Sequence, residues 1–298
     1  VVRFFVGGDP DAPVTESCRV EVLGEGDAVL WSPASDAAAE SDEAASADGG
    51  GADGEEEDEG EGDAAADTAV EGDAKPKPLD LRRGMNAVRW TWTTEDAKGF
   101  DGIILWAGGL GGPRQPAPGE YRVRLTFGDR VQEQPLVVLP DLRATASAAD
   151  LRAQHLFVAA CRDTITKAHE AIVAIRSLRT QVDAVVARAA GDEQKSELRA
   201  SADALKAALA AVEAALDQTK SKSRQDPLNY PIRLTDKLAG VMSAANRALF
   251  APTAAQVAVR DELTAAIDAE LANYAAIRAQ QLAEFNALAL RLQVPHVQ

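Results

Sequence analysis

The sequence predicts an α+β protein of two parts: an immunoglobulin-like antiparallel β-sandwich, then a long antiparallel helical bundle. Three observations carry that expectation. Short apolar runs bounded by Gly, Asp and Pro fill roughly the first 140 residues. From about Asp150 onward, Ala- and Leu-rich seams recur at alternating three- and four-residue steps. The chain has 298 residues, enough for two domains of ordinary size. The expected boundaries are a β-sandwich over 1–140 with a disordered acidic insertion at 33–78, a linker at 141–147, and a helical bundle over 148–298.

The β elements follow from alternation. "VVRFFV", "CRVEVLG" and "DAVLWS" are short strand-like runs. In "NAVRWTW", Val88, Trp90 and Trp92 share one face while Arg89 and Thr91 take the other. "GEYRVRLTFGDRVQEQPLVV" repeats the pattern, with Tyr121, Val123, Leu125 and Phe127 inward and Arg122 and Arg124 outward, and "FGDR" supplies a hairpin turn. Antiparallel strands at this spacing, with no helix between them, imply a sandwich.

The formal charge of −16 belongs to one segment. Sixteen Asp and Glu and no Lys or Arg lie between Asp36 and Asp73, which leaves 31 acids against 31 bases elsewhere. That segment lacks apolar anchors, so it cannot offset its ordering entropy and is expected to be an exposed insertion. "DGGGADGEEEDE" lacks the alternating acid spacing of a calcium loop. The neutral remainder argues against nucleic acid as a partner. Cys18 sits in a strand-like run and Cys161 on a helix, and two buried free thiols are expected. No apolar run approaches the ~18 residues of a membrane span. The opening Val1-Val2 carries no signal peptide, so the chain is expected to be a piece of a longer protein.

Four helices are expected in the second part. The first runs from about Ala148 to Ala189 with Ser147 or Thr145 as N-cap, and its seam includes Phe157, Cys161, Ala168, Ile175 and Val182. A second carries Leu198 to Leu216 and ends near Thr219. A third carries Leu234 to Leu249 and closes at Pro252. The last runs from about Thr253 to Leu292. At ~1.5 Å per residue the first and last are each about 60 Å long, and the second and third match them only when placed end to end. The economical arrangement is three arms, the middle one broken by "SKSRQDPLNYPI"; an up-down four-helix bundle is the alternative.

No catalytic constellation survives inspection. "HEAIV" at His169 has Val173 where a second zinc-binding His would stand, so no metal and no other cofactor is implied. "GGLGGP" and "GEGDAV" read as turns, because neither completes a dinucleotide fingerprint ahead of a helix. One pattern is sharper. His155, Arg162, His169 and Arg176 recur every seven residues beside the apolar seam. They form a candidate buried polar stripe, expected to pair with acids on neighbouring arms such as Glu262, Glu270 or Glu284, or else to form a contact strip for another domain. A second candidate set of interdomain or partner contacts comprises Trp106, Arg114, Pro227, Asn229, Tyr230, Pro231 and Arg233. Its rigid Tyr and Pro suit docking of the Pro-containing loop against "GGLGGPRQPAPG".

"FDGIILWAGGLGGPRQPAPGEYRVRL", "DLRAQHLFVAACRD", "HEAIVAIRSLRTQ" and "SRQDPLNYPIRLTDKL" together resemble the C-terminal region of large bacterial sortilin-like BNR-repeat proteins, often labelled glycosyl hydrolases. The resemblance covers about Leu79 to Val294, more loosely "VVRFFV" to "LWSP". It implies an upstream β-propeller, an immunoglobulin-like sandwich, a helical tail, and a secreted or cell-envelope location. The chain contains no propeller, no Asp-box repeat and no candidate glycosidase carboxylate pair, so no catalytic residue carries over. The resulting expectation is a non-catalytic accessory region that positions or oligomerises a propeller-bearing protein. Its partner would be the upstream propeller, another protein chain, or a second copy as a homo-oligomer. The alternatives are the C-terminal part of a glycoside hydrolase whose active site lies upstream, and a glycan- or protein-binding module.

Overall fold

The computed structural model describes residues 1–9, 11–32, 34–35, 79, 81–90, 94–189, 192–247 and 249–294. Apart from 34–35, the expected acidic insertion lies outside the described residues, as does Trp92. The fold is mixed α and β, with two small antiparallel sheets and about four helices. It divides into two compact units, 1–90 with 120–136 and 91–119 with 137–298. The division differs from the boundaries read from sequence. Residues 94–119, which sit inside the expected β region, group with the helices, and many of their backbone bonds go to helix side chains.

In the first unit, strand β1 (Val2–Val6) pairs antiparallel with β5 (Gly84–Val88), Phe5 opposite Met85. The larger sheet is built on β2 (Cys18–Leu23). On one edge lie β3 (Val29–Trp31) and the short β4 (Ala34–Ser35); on the other lie β6 (Gly119–Phe127) and then β7 (Arg130–Val138). Phe4, Val6, Cys18, Val20 and Val88 form one core, with Trp31, Val123, Leu125 and Phe127 packed against it, so both sheets bury a face together. The expected alternation in β6 holds for Val123, Leu125 and Phe127. On its other face Arg122 and Arg124 meet Glu133 of β7 at 2.6 and 2.7 Å. Gly128, at φ +54, makes the hairpin turn, a conformation that L side chains resist. The Trp31 and Trp90 rings lie 6.4 Å apart.

In the second unit, α1 (Ala148–Arg188) opens on a capping box in which Ser147 and Asp150 exchange bonds. Helix α2 spans Asp192–Leu216 and α3 spans Leu234–Asn246. Thr253 caps α4 (Ala254–Ile277), which continues through a π turn at 278–282 into α5 (Ala283–Arg291). Helix α1 packs on α2, α3 and α4, and α4 packs on α2 and α3. The α1 seam buries Phe157, Val158, Ile165, Ile172, Ile175 and Val182, each contributing about 1.5–3 kcal/mol. Cys161 lies in the same seam; it and Cys18 are both buried and neither forms a disulfide. No helix among the described residues is long and apolar enough to cross a membrane.

Candidate functional site

Residues 94–118, hereafter the strap, contain no helix and only touch strand structure at their end, yet Ala97 and Leu110 belong to the helical core. A buried irregular chain must find partners for its N–H and C=O groups. The two limbs supply a few to each other: Ala97 N–H donates to Leu110 O at 2.8 Å, and Thr94 Oγ1 to Pro113 O at 2.9 Å. Gly112 N–H likewise donates to Asp96 Oδ1 at 3.0 Å, and most of the other bonds come from two helices.

Helix α1 presents donors. The heptad stripe reaches four strap carbonyls: His155 Nδ1 to Gln115 O at 3.1 Å, Arg162 Nη1 to Glu95 O at 3.4 Å, His169 Nδ1 to Lys98 O at 2.6 Å, and Arg176 Nη1 to Asp101 O at 3.2 Å. A carbonyl partner requires the proton on Nδ1 in both histidines. Lys98 is gripped three ways, since its N–H also donates to Thr166 Oγ1 at 3.1 Å and its ammonium to Glu170 at 2.6 Å. Phe100 stands between the His169 ring, edge-on at 4.9 Å, and the Arg176 guanidinium, 4.6 Å from its centroid.

Helix α3 presents mainly acceptors. The Asp236 carboxylate accepts from Trp106 N–H at 3.0 Å and Ala107 N–H at 2.9 Å, and Ser243 Oγ accepts from Gly109 N–H at 3.0 Å. Asn246 works both ways, accepting from Arg114 N–H at 3.2 Å and donating to Gly112 O at 2.8 Å. These residues share one face of the helix. The face is so close that a Cβ at Gly108 would sit 2.2 Å from Ala239 O. In the "GGLGG" run, Gly108 and also Gly112, whose Cβ would sit 2.1 Å from Glu95 O, are demanded by close approach rather than by a phosphate-binding turn.

Burial sets the charge states. His169 is fully buried with its Nε2 lacking a hydrogen-bond partner, and burial pushes its pKa below the usual value. His155 shifts the same way, chiefly by burial, with Arg162 and Arg152 adding to it. Beyond the stripe, Arg176 and Arg179 clasp the buried Glu213 at 2.7 and 2.8 Å. Burial raises Asp217 and Asp236, the latter against the pull of two N–H donors. Burial also pushes Cys161 up to about 12, so its thiol is inert at neutral pH.

The sequence-nominated residues separate into two groups. In the stripe, His169 is fully buried and the other three are half-buried. Arg176 does meet an acid on a neighbouring helix, but that acid is Glu213 rather than Glu262, Glu270 or Glu284. Trp106 and Arg114 lie in the strap, where their backbone N–H groups bind α3. Asn229, Tyr230, Pro231 and Arg233 are exposed, with Pro227 half-buried. Their loop is organised by its own Asp226, whose carboxylate accepts from Lys222 N–H at 2.5 Å and Ser223 N–H at 2.9 Å. Glu213, Asp217, Asp236 and Asn246 were missed; Asp236, Ser243 and Asn246 could have been noticed as polar residues at seven- and three-residue steps on one face of their helix.

At the end of the strap a cavity of about 660 Å³ is lined by Pro113–Pro118, Val138–Asp141, residues of the first turns of α1, and the C-terminal end of α3. Among the described residues no group of three or more His, Cys, Asp or Glu could hold a metal ion. Compared with family models, curated proteins and solved structures, the chain matches none.

Proposed function

We propose that this chain is a non-catalytic accessory region of a larger, exported, propeller-bearing protein, which it positions or oligomerises. One observation carries the reading: the histidines and arginines best suited to chemistry hold strap carbonyls, so their polarity builds a rigid surface. In this reading the first unit is an immunoglobulin-like sandwich and the second a three-arm bundle whose middle arm is α2 followed by α3. Two contacts support the broken arm: both helices pack on α1 and α4, and Thr235 Oγ1 donates to Leu216 O at 3.0 Å, tying the start of α3 to the end of α2.

The test is twofold. Light scattering across a concentration series, with and without the propeller-bearing polypeptide, should reveal self-association or complex formation. A panel of aryl glycosides should show no turnover. Glycoside turnover by the propeller-bearing polypeptide that appears only when this chain is added would instead support the glycoside hydrolase reading. The glycan- or protein-binding alternative has its own support, because the Trp106 side chain is 53% exposed beside the strap turn. Quenching of tryptophan fluorescence by oligosaccharides, lost in Trp106→Ala, would favour it.

A further inference from the structure

The cavity at the end of the strap has a chemistry of its own. Its volume falls within the ~300–1,000 Å³ range of small-ligand sites. Its lining buries Val158 and Leu151 beside Gln154, whose Nε2 donates to Ala245 O at 2.6 Å, and also carries Leu139, which is 77% exposed. Arg114 and Arg247 both line it, both are exposed, and neither side chain has an ion-pair partner among the described residues. The acid that lines it, Asp141, is matched by Arg143 at 2.7 Å, so it does not cancel them. His155 gives its Nδ1 proton to Gln115 O, which leaves Nε2 as a lone-pair acceptor with no hydrogen-bond partner among the described residues.

Two unpaired guanidiniums, one acceptor and an aliphatic wall together describe a ligand. We propose that this cavity binds an N-acylated aliphatic α-amino acid: its carboxylate at Arg114 and Arg247, its amide N–H at His155 Nε2, its side chain against Leu151 and Val158. Guanidinium pairs suit carboxylates because the planar fork can donate two parallel bonds. The amide one bond from the α-carbon supplies the single donor that a neutral imidazole accepts. A free N-acyl amino acid and the C-terminal residue of a peptide share this chemistry. The inference goes beyond the accessory-region reading, which is decided by propeller binding and self-association.

Calorimetric titration of the full chain with N-acetyl-leucine, and with acetyl-Gly-Pro-Leu as free acid and as C-terminal amide, tests it. Both acids are expected to bind, and the amide about tenfold more weakly or worse. The Arg114→Ala/Arg247→Ala double variant should lose at least about tenfold for the acids at an unchanged melting temperature, since the Arg114 contact to α3 is made by its backbone. A peptide acid binding far more tightly than N-acetyl-leucine would identify a protein C-terminus as the source; equal binding would identify the free metabolite. Equal affinity for acid and amide, full affinity in the double variant, or no heat at ligand concentrations of about 10 mM would overturn the proposal. None of these outcomes bears on propeller binding, so the two readings fail separately.

Discussion

Two of the irregular segments in the second unit are ordered in opposite ways. The strap at 94–118 is held from outside, by donors of α1 and acceptors of α3. The loop at 217–233 is held from inside. Asp226 binds Lys222 and Ser223, its carbonyl accepts from Asn229 at 2.8 Å, and Gln218 Nε2 closes the base on Pro231 O at 2.8 Å. Both are rich in Pro or Gly, so composition does not separate them. What separates them is where the backbone bonds go: into the bundle for one, back onto itself for the other. A segment ordered from outside is coupled to the stability of its neighbours, whereas a self-ordered loop can be altered almost alone.

That contrast is open to attack, most forcefully at Asp236. Asp236→Ala strands the N–H groups of Trp106 and Ala107, and urea unfolding followed by circular dichroism should show a loss of about 3 kcal/mol. A loss under about 1 kcal/mol would mean that α3 does not hold the strap. Gly108→Ala comes next, because the new methyl must displace Ala239 O and overpacking costs about 1–3 kcal/mol. Hydrogen exchange should then rise at Trp106 and Ala107 ahead of the rest of the unit.

A graded effect is expected from pH. The pKa values of His155 and His169 lie below the ordinary 6.5 in the folded chain, so the unfolded chain binds more protons as the pH drops. Their contribution is complete above 6.5 and is lost as the pH falls below it toward the folded values. Asp217 and Asp236, raised above 3.8, act with the opposite sign and only nearer that value. Between about pH 7.5 and about pH 5.5 the melting temperature should therefore fall, and more shallowly in His155→Gln/His169→Gln. A rise over that interval would contradict the buried neutral histidines. The smallest effects belong to the loop: Asp226→Ala should destabilise less than either strap variant, and Tyr230→Ala should cost no more than about 0.5 kcal/mol. If Tyr230→Ala costs as much as Asp236→Ala, the two segments do not differ as described.

The helices were largely legible from sequence, because burial seams at three- and four-residue steps and the caps Ser147 and Thr253 are local signals. The heptad stripe was legible too, but its partners were not. A side chain that seeks a charge leaves a search for acids in the sequence, and that search pointed to Glu262, Glu270 and Glu284. His155 and His169 instead bond to backbone carbonyls, and Arg162, paired with its chain neighbour Asp163 at 2.7 Å, reaches one as well; carbonyls are groups that every residue possesses and no residue type announces. The strap was read with the strands for the same reason: it has no periodicity, and what anchors it is distant in sequence. The acid nearest to Arg176, Glu213, sits on α2 at a register that helix patterns alone do not relate to α1.

The stripe and the strap also behave as a vernier. Arg162, His169 and Arg176 meet Glu95, Lys98 and Asp101, seven residues of helix for every three of strap. Seven helical residues advance about 10.5 Å and three extended residues about 10–11 Å, so the two scales run in step without strain. A single residue inserted between Lys98 and Asp101 would put the scales out of step by about a third of a repeat, a mismatch that side-chain reach cannot absorb at every rung. Sequence length over these few positions is therefore under tighter constraint than residue identity at Glu95 and Asp101, where natural variation should exchange side chains while leaving the spacing untouched.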